Sequence, residues 1–223
     1  MTINVSHESP ITLLPESLLY NDYQYCLVHL MEEEQEYRDW FLERFRAKRP
    51  NGEILLDNSI FELKEAFDSE KYAEWCEKIK PNYYIVPDVL EDSEGTMTNF
   101  LNFTLNYRDL PGATIGAVQG KTWTEVVECY RFMAAHADYI AISFDFSMYD
   151  VTGFSNPLNP EKLMRQTTGR QQLVKRLIDE GWWDWEKPHH LLGASLAREF
   201  KWYVNNNIYN IRSLDTSNPV VAG

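Results

Sequence analysis

The chain has 223 residues, 44% hydrophobic and 25% charged, a globular composition that excludes a disordered chain and suffices for one sizeable core. A net charge of -13 argues against a bulk basic face of the kind that grips nucleic-acid backbones. No apolar run approaches the about 20 residues of a membrane span, and the first ten residues lack the basic start and apolar core of a signal peptide, so the reading is cytoplasmic.

In chain order, residues 23–30 read as a strand, followed by a helix over 32–48 with Tyr37, Phe41, Leu42 and Phe45 on one stripe, stopped by Pro50-Asn51-Gly52. A strand over 53–59 precedes a helix over 62–79 that carries Leu63, Phe67, Tyr72 and Trp75. The alternation continues with a strand at 83–88, a helix at 94–107, a strand at 113–120, a helix at 122–136 and a strand at 138–144. The polar stretch 145–160 is too long for an ordinary connection and is a candidate lid. A helix over 161–180, a strand over 190–195, a helix over 196–206 and a strand over 209–215 complete the series.

Strands alternating with helices imply right-handed crossovers and a parallel sheet. The pattern predicts one domain, 1–223, with a compact TIM-barrel-like (β/α)8 fold. Seven strands are explicit; a closed barrel needs eight. ITLLP (11–15) or PVVAG (219–223) supplies the last, or the barrel is incomplete towards the C-terminus; a doubly wound sheet is the structural alternative.

Polar residues gather where the strands end. Asp57, Asp88, Gln119 with Gly120, Ser143 with Asp145, Gly193 with Ser195, and Asp215 each close a strand. In a parallel barrel these ends share one mouth, where ligands bind. Aspartates there suit a nucleophile and an acid/base pair. Gln119 offers a donor and an acceptor to a heterocycle edge, and Phe61 a stacking face. Lys121, Arg165 and Arg170 are the candidates for phosphate contacts. Cys26, Cys76 and Cys129 fit neither a disulfide framework nor a zinc knuckle and read as packed thiols. His189 and His190 are placed at the opposite, N-terminal face, His29 near the mouth. The run 182–185 (WWDW) reads as packing. No metal-ligand set and no cofactor motif stand out.

LLDNSIFEL (55–63) resembles the T-D-S-G-G-F/Y-Q segment of the tRNA-guanine transglycosylases and their phage and bacterial DNA-modifying relatives. GAVQGK (116–121) is similar to their G-I-V-Q-G-G, HLLG (190–193) to their Y-L-M-G, and SLDTSNP (213–219) to their M-F-D-C-V-L-P, in the same order. The resemblance implies a TIM barrel that breaks the glycosidic bond of a guanine-type base and inserts a 7-deazaguanine derivative. It implies Asp215 as nucleophile and Asp57 as acid/base, with Asp88, Gln119, Gly120, Phe61, Leu192 and Gly193 holding the base. Ser59 and Ile60 replace the two glycines, Lys121 replaces a third, and the family's zinc segment and basic stretch have no counterpart here. DNA or a nucleotide, in a host cytoplasm if phage-encoded, is therefore the expected acceptor rather than tRNA. A purine or 7-deazapurine is the expected partner molecule. A nucleoside N-glycosidase, or a non-catalytic base-binding protein acting as a homo-oligomer or partner subunit, is the alternative.

Overall fold

The computed structural model describes residues 2–144, 147–151, 153–154, 161–194 and 196–217. Eight parallel strands form one sheet: β1 (Asn4–His7), β2 (Gln24–Leu27), β3 (Ile54–Asp57), β4 (Tyr83–Ile85), β5 (Ala113–Val118), β6 (Tyr139–Ser143), β7 (His189–Leu192) and β8 (Ile211–Thr216). Their order is β1-β8-β7-β6-β5-β4-β3-β2, a nearly closed (β/α)8 barrel. The helices are α1 (Leu14–Tyr20), α2 (Val28–Glu33), α3 (Gln35–Asp39), α4 (Phe45–Lys48), α5 (Ile60–Leu63), α6 (Ser69–Ile79), α7 (Ser93–Asn106), α8 (Trp123–His136), α9 (Met148–Val151), α10 (Lys162–Asp179) and α11 (Ala197–Asn205).

The missing strand is neither of the two expected segments. ITLLP forms a 3-10 turn, Ile11–Leu13, that runs into α1, where Pro15 sits in the first turn and needs no intrahelical donor. PVVAG lies outside the described residues. The eighth strand is NVSH (4–7), which pairs with β8 in the register Asn4–Ser213 to His7–Thr216. Only Ser6 in it is fully buried, so no apolar run announces it.

β1 and β2 share no strand ladder, and side chains stitch the seam between them. The backbone N–H of Asp22 donates to the Val5 carbonyl at 2.9 Å. The Asp22 carboxylate accepts from the Val5 N–H at 2.8 Å. Asn21 accepts from the His7 N–H at 2.8 Å and donates to the His7 carbonyl at 3.1 Å, copying a ladder pair with one amide. Ser6 Oγ accepts from the Tyr25 N–H at 3.1 Å.

Element ends differ from the sequence reading for local reasons. The first strand stops at Leu27, and Val28 already begins α2. The helix expected over 32–48 is broken at Glu34 and widened into a π turn, Trp40–Arg44; that adjustment lets Tyr37, Trp40, Phe41 and Phe45 all bury. The helix expected over 62–79 is two pieces. Lys64 ends α5 in the left-handed region at φ 63°, and the Asp68 carboxylate caps the Lys71 N–H to start α6. α8 begins at a capping box, Thr122 and Glu125 accepting from each other's backbone N–H.

Strand alternation sorts the core into two layers. Ile54, Leu56, Ile140, Ile142, Leu191 and Leu214 face the helices and join the main core. Tyr25, Leu55, Ile85, Ile115, Ala117 and Ala141 face the barrel axis. The axial set continues the parity of Asp57, Gln119 and Asp215, so the same alternation that buries Leu55 and Ala117 points these polar groups inward at the strands' C-terminal ends. No helix among the described residues is long and apolar enough to cross a membrane. All three cysteines are free and buried.

Candidate active site

A cleft of about 310 Å³ opens at the C-terminal ends of the strands. Asp57, Phe61, Asp88, Gln119, Ser143, Leu192, Gly193 and Asp215 line it, as do Glu8, Tyr25, Asn58 and Lys162. Seven of the eight residues expected to act on the sugar or the base, both catalytic aspartates included, therefore share one hollow; Gly120 is the exception treated below.

Asp57 ends β3 and is buried. Its Oδ2 accepts from Tyr25 Oη at 2.7 Å and its Oδ1 from the Ser59 N–H at 2.6 Å. Ser59 reaches that position through the left-handed region at φ 57°, which glycine adopts more readily. Burial, then the Glu62 charge, push the Asp57 carboxyl well above the ordinary range, against the two donors. Such a setting favours the proton-bearing form of the carboxyl.

Asp88 is buried between two amides. Asn58 Nδ2 donates to its Oδ1 at 2.8 Å and Gln119 Nε2 to its Oδ2 at 2.6 Å. Gln119 Oε1 in turn accepts from the Glu91 N–H at 2.9 Å, which fixes the amide's orientation. Burial raises the Asp88 carboxyl while the two amides oppose the shift. The remaining lone pairs of one carboxyl present adjacent acceptors to the cleft, complementary to a ligand edge with neighbouring N–H groups.

Asp215 lies in β8. The Gly193 N–H donates to its Oδ2 at 2.9 Å, and His190 Nε2 lies 3.0 Å from its Oδ1. Gly193 turns out of β7 at φ 59°, which aims that N–H inward. Burial pushes the Asp215 carboxyl up to about 6, opposed by hydrogen bonds from Glu8 and Gly193 and by the Arg170 charge.

Several expectations are corrected. His190 is not at the N-terminal face: it points into the barrel, stacks at 6.4 Å on Tyr25 and meets Asp215. Burial lowers His190 to about 3, so the ring is neutral, donating from Nε2 while Nδ1 pairs with Ser213 Oγ at 2.9 Å. His189 points the other way, packed 3.8 Å from the Trp183 ring, which places part of the WWDW run in the core. Arg170 is no phosphate contact. It is fully buried, paired with Glu199 at 2.7 Å and donating to the carbonyls of Ile142, Leu192 and Gly193. Arg165 pairs with Asp150 at 3.5 Å. Gly120 and Lys121 do not line the cleft. A Cβ on Gly120 would fall 2.9 Å from the Val126 nitrogen, so that glycine serves the packing of α8, and the Lys121 N–H donates to Glu125. His29 is absent from the cleft wall and donates its backbone N–H to Ser59. Asp145 and Ser195 lie outside the described residues, as does most of the candidate lid.

Sequence reasoning missed Glu8, Tyr25, Asn58 and Lys162. Asn58 stood inside a quoted motif, and Glu8 follows the unrecognised strand β1. Phe61 is 56% exposed at the rim, with Lys64 Nζ 3.8 Å from its ring centre. Among the described residues no group of three or more His, Cys, Asp or Glu side chains is placed to hold a metal ion.

The fold and the site together define a (β/α)8 barrel with a carboxyl-lined mouth. No family model matches the chain, and no curated protein matches it. Among solved structures it is similar to 2,3-dimethylmalate lyase, a PEP mutase/isocitrate lyase superfamily member, with a TM-score of 0.53 and 12% identity over 99% of this chain and 76% of that one. L-Ala-D/L-Glu epimerase matches with a TM-score of 0.49 and 11% identity, over 96% of this chain and 56% of that one. At 12% identity the first likeness extends to the barrel fold alone.

Proposed function

We propose that the protein is an enzyme, a base-exchange transglycosylase that replaces a guanine-type base in DNA or a nucleotide by a 7-deazaguanine derivative. The observation that carries the reading is the convergence of Asp57, Asp88, Gln119 and Asp215, far apart in sequence, on one purine-sized cleft.

Asp215, ionised at neutral pH, supplies the nucleophile. One of its oxygens bonds to C1′ of the sugar, the bond from C1′ to the base nitrogen breaks, and the electron pair leaves with the base. Asp57, whose burial favours the protonated carboxyl, gives its proton to that departing base. In the return half, the incoming base surrenders its ring N–H proton to Asp57. Its nitrogen bonds to C1′, and Asp215 leaves as a carboxylate. Asp88 and Gln119 read the N–H edge, Leu192 and Gly193 border the base, and Phe61 stacks at the rim. Lys162 on the cleft wall and Lys64 over the Phe61 ring are the candidates for contact with a sugar phosphate.

The test is uptake of radiolabelled guanine or a 7-deazaguanine into DNA, RNA or free nucleotide. Incorporation into DNA or nucleotide is expected, reduced by about 10³-fold or more in Asp215→Ala. Undiminished uptake in that variant removes the assigned nucleophile. Base binding without uptake into any acceptor replaces the reading by a non-catalytic binding protein.

A further inference from the structure

One half-buried acid of the cleft has no part in the steps above. Glu8 follows β1 directly, and its N–H donates to the Thr216 carbonyl at 2.9 Å, so β1–β8 pairing fixes its place beside Asp215. The two carboxyls line the same cleft close enough to act on each other, Glu8 favouring an ionised Asp215 and Asp215 a protonated Glu8. We propose that Glu8 is the positioning residue of the nucleophile: as a neutral carboxylic acid it donates its O–H to Asp215, holds that carboxylate in line with the sugar, and keeps the pair at a single negative charge. This deepens the transglycosylase reading and rests on it for the identity of the reaction.

The surroundings support that protonation state. A bond between two carboxyls requires one proton, because two carboxylates in contact repel. Asp215 is already bonded to the Gly193 N–H and to His190, whereas Glu8 faces further acid in Glu62. The other ionisable groups around the pair are Tyr23 just before β2, Tyr25 in β2, Asp57 from β3, Lys162 lining the same cleft, and Arg170 from α10, whose charge favours the ionised form of Asp215. Burial and the Asp215 charge push Glu8 up to about 9 while Asp215 stays at about 6. The proton therefore rests on Glu8 between those values. With three donors converging, the Asp215 carboxylate has little rotational freedom, which favours attack along one line. Glu8 keeps its proton throughout the reaction; it acts only through Asp215.

The experiment is a ¹³C-carboxyl NMR titration of the full chain, run beside the pH profile of base uptake. Two coupled steps, near pH 6 and pH 9, are expected in the wild type, with uptake falling on both sides. Glu8→Gln retains an N–H donor and removes the ionisable group, so the step near pH 9 should vanish from the titration, while Asp57 keeps its own share of the alkaline fall in uptake. Glu8→Leu removes the donor, and the Asp215 step should move upward by roughly one pH unit. A titration step near pH 9 that survives in Glu8→Gln, or an Asp215 step unmoved in Glu8→Leu, overturns the assignment. The titration needs no turnover: coupled steps that respond to Glu8 in a protein that exchanges no base uphold the Glu8–Asp215 pair and overturn the transglycosylase reading alone.

Discussion

At Asp57 two forces oppose each other, and their balance sets the chemistry. Burial favours the acid; Tyr25 Oη and the Ser59 N–H favour the anion. A group that must give a proton in one half reaction and take one in the next works best with neither force dominant. Tyr25→Phe removes one donor and leaves the aromatic packing against His190. The Asp57 carboxyl should rise further, and kcat for base uptake should fall by about tenfold, with a smaller change in KM, as measured in steady-state kinetics at pH 7. A variant with unaltered kcat would remove Tyr25 from the proton path. At this scale the sequence was informative where a residue's role follows from its strand position. Asp57, Asp88, Gln119 and Asp215 were legible because each ends an apolar run, and strand parity does the rest. His190 was misplaced because it was read only by its position at the strand's start, whereas strand parity turns it into the barrel towards Asp215. Arg170 was misread because a buried guanidinium and a solvated one look alike in sequence; only its partner Glu199, on another helix, tells them apart.

Elements of the barrel are tied at the site end by that same arginine. From α10 it reaches the ends of β6 and β7 through three carbonyls and α11 through Glu199. The Gly193 carbonyl it holds belongs to the residue whose N–H bonds Asp215, so the tie orients the loop after β7. Arg170→Leu would strand a buried carboxylate and three carbonyls. It should destabilise the protein by about 3–5 kcal/mol in urea unfolding, and Arg170→Leu with Glu199→Leu should recover part of that loss. A loss below about 1 kcal/mol in the single variant would show that α10 and the loop are held by packing alone. The strand–helix alternation itself was legible from apolar runs such as ILL before Asp57 and IAI before Ser143. β1 was not: its contribution to the sheet is backbone pairing with β8 plus Ser6, Asn21 and Asp22 across the seam, and such bonds leave no hydrophobic pattern.

The molecule as a whole titrates in a way that its buried groups dictate. Glu8 has an ordinary value of 4.5 and a folded value of about 9, and Asp57 is shifted in the same direction. Between 4.5 and 9 the folded chain keeps a proton on Glu8 that the unfolded chain has released, so stability falls as pH rises through that window. His189 and His190 run the other way. Burial lowers both from 6.5 to about 3, so below 6.5 the unfolded chain takes up protons that the folded chain refuses, and stability falls as pH drops. Above 6.5 the carboxyls act, joined near pH 9 by the three cysteines, whose thiols burial also raises; below 6.5 the histidines oppose the carboxyls. The net charge of -13 adds self-repulsion that acidification relieves. Melting temperature should therefore climb as pH is lowered from 9 to about 6.5 and then level off, a profile read by scanning calorimetry in buffers of matched ionic strength. Glu8→Gln should flatten the alkaline slope in part, since Asp57 continues to contribute, while a double substitution of His189 and His190 by Phe and Gln should restore the climb below 6.5. A melting temperature that instead rises from pH 6.5 to 9 would mean that these acids are ionised and paired in the folded chain, and the proton that the proposed chemistry assigns to the mouth of the barrel would not be there.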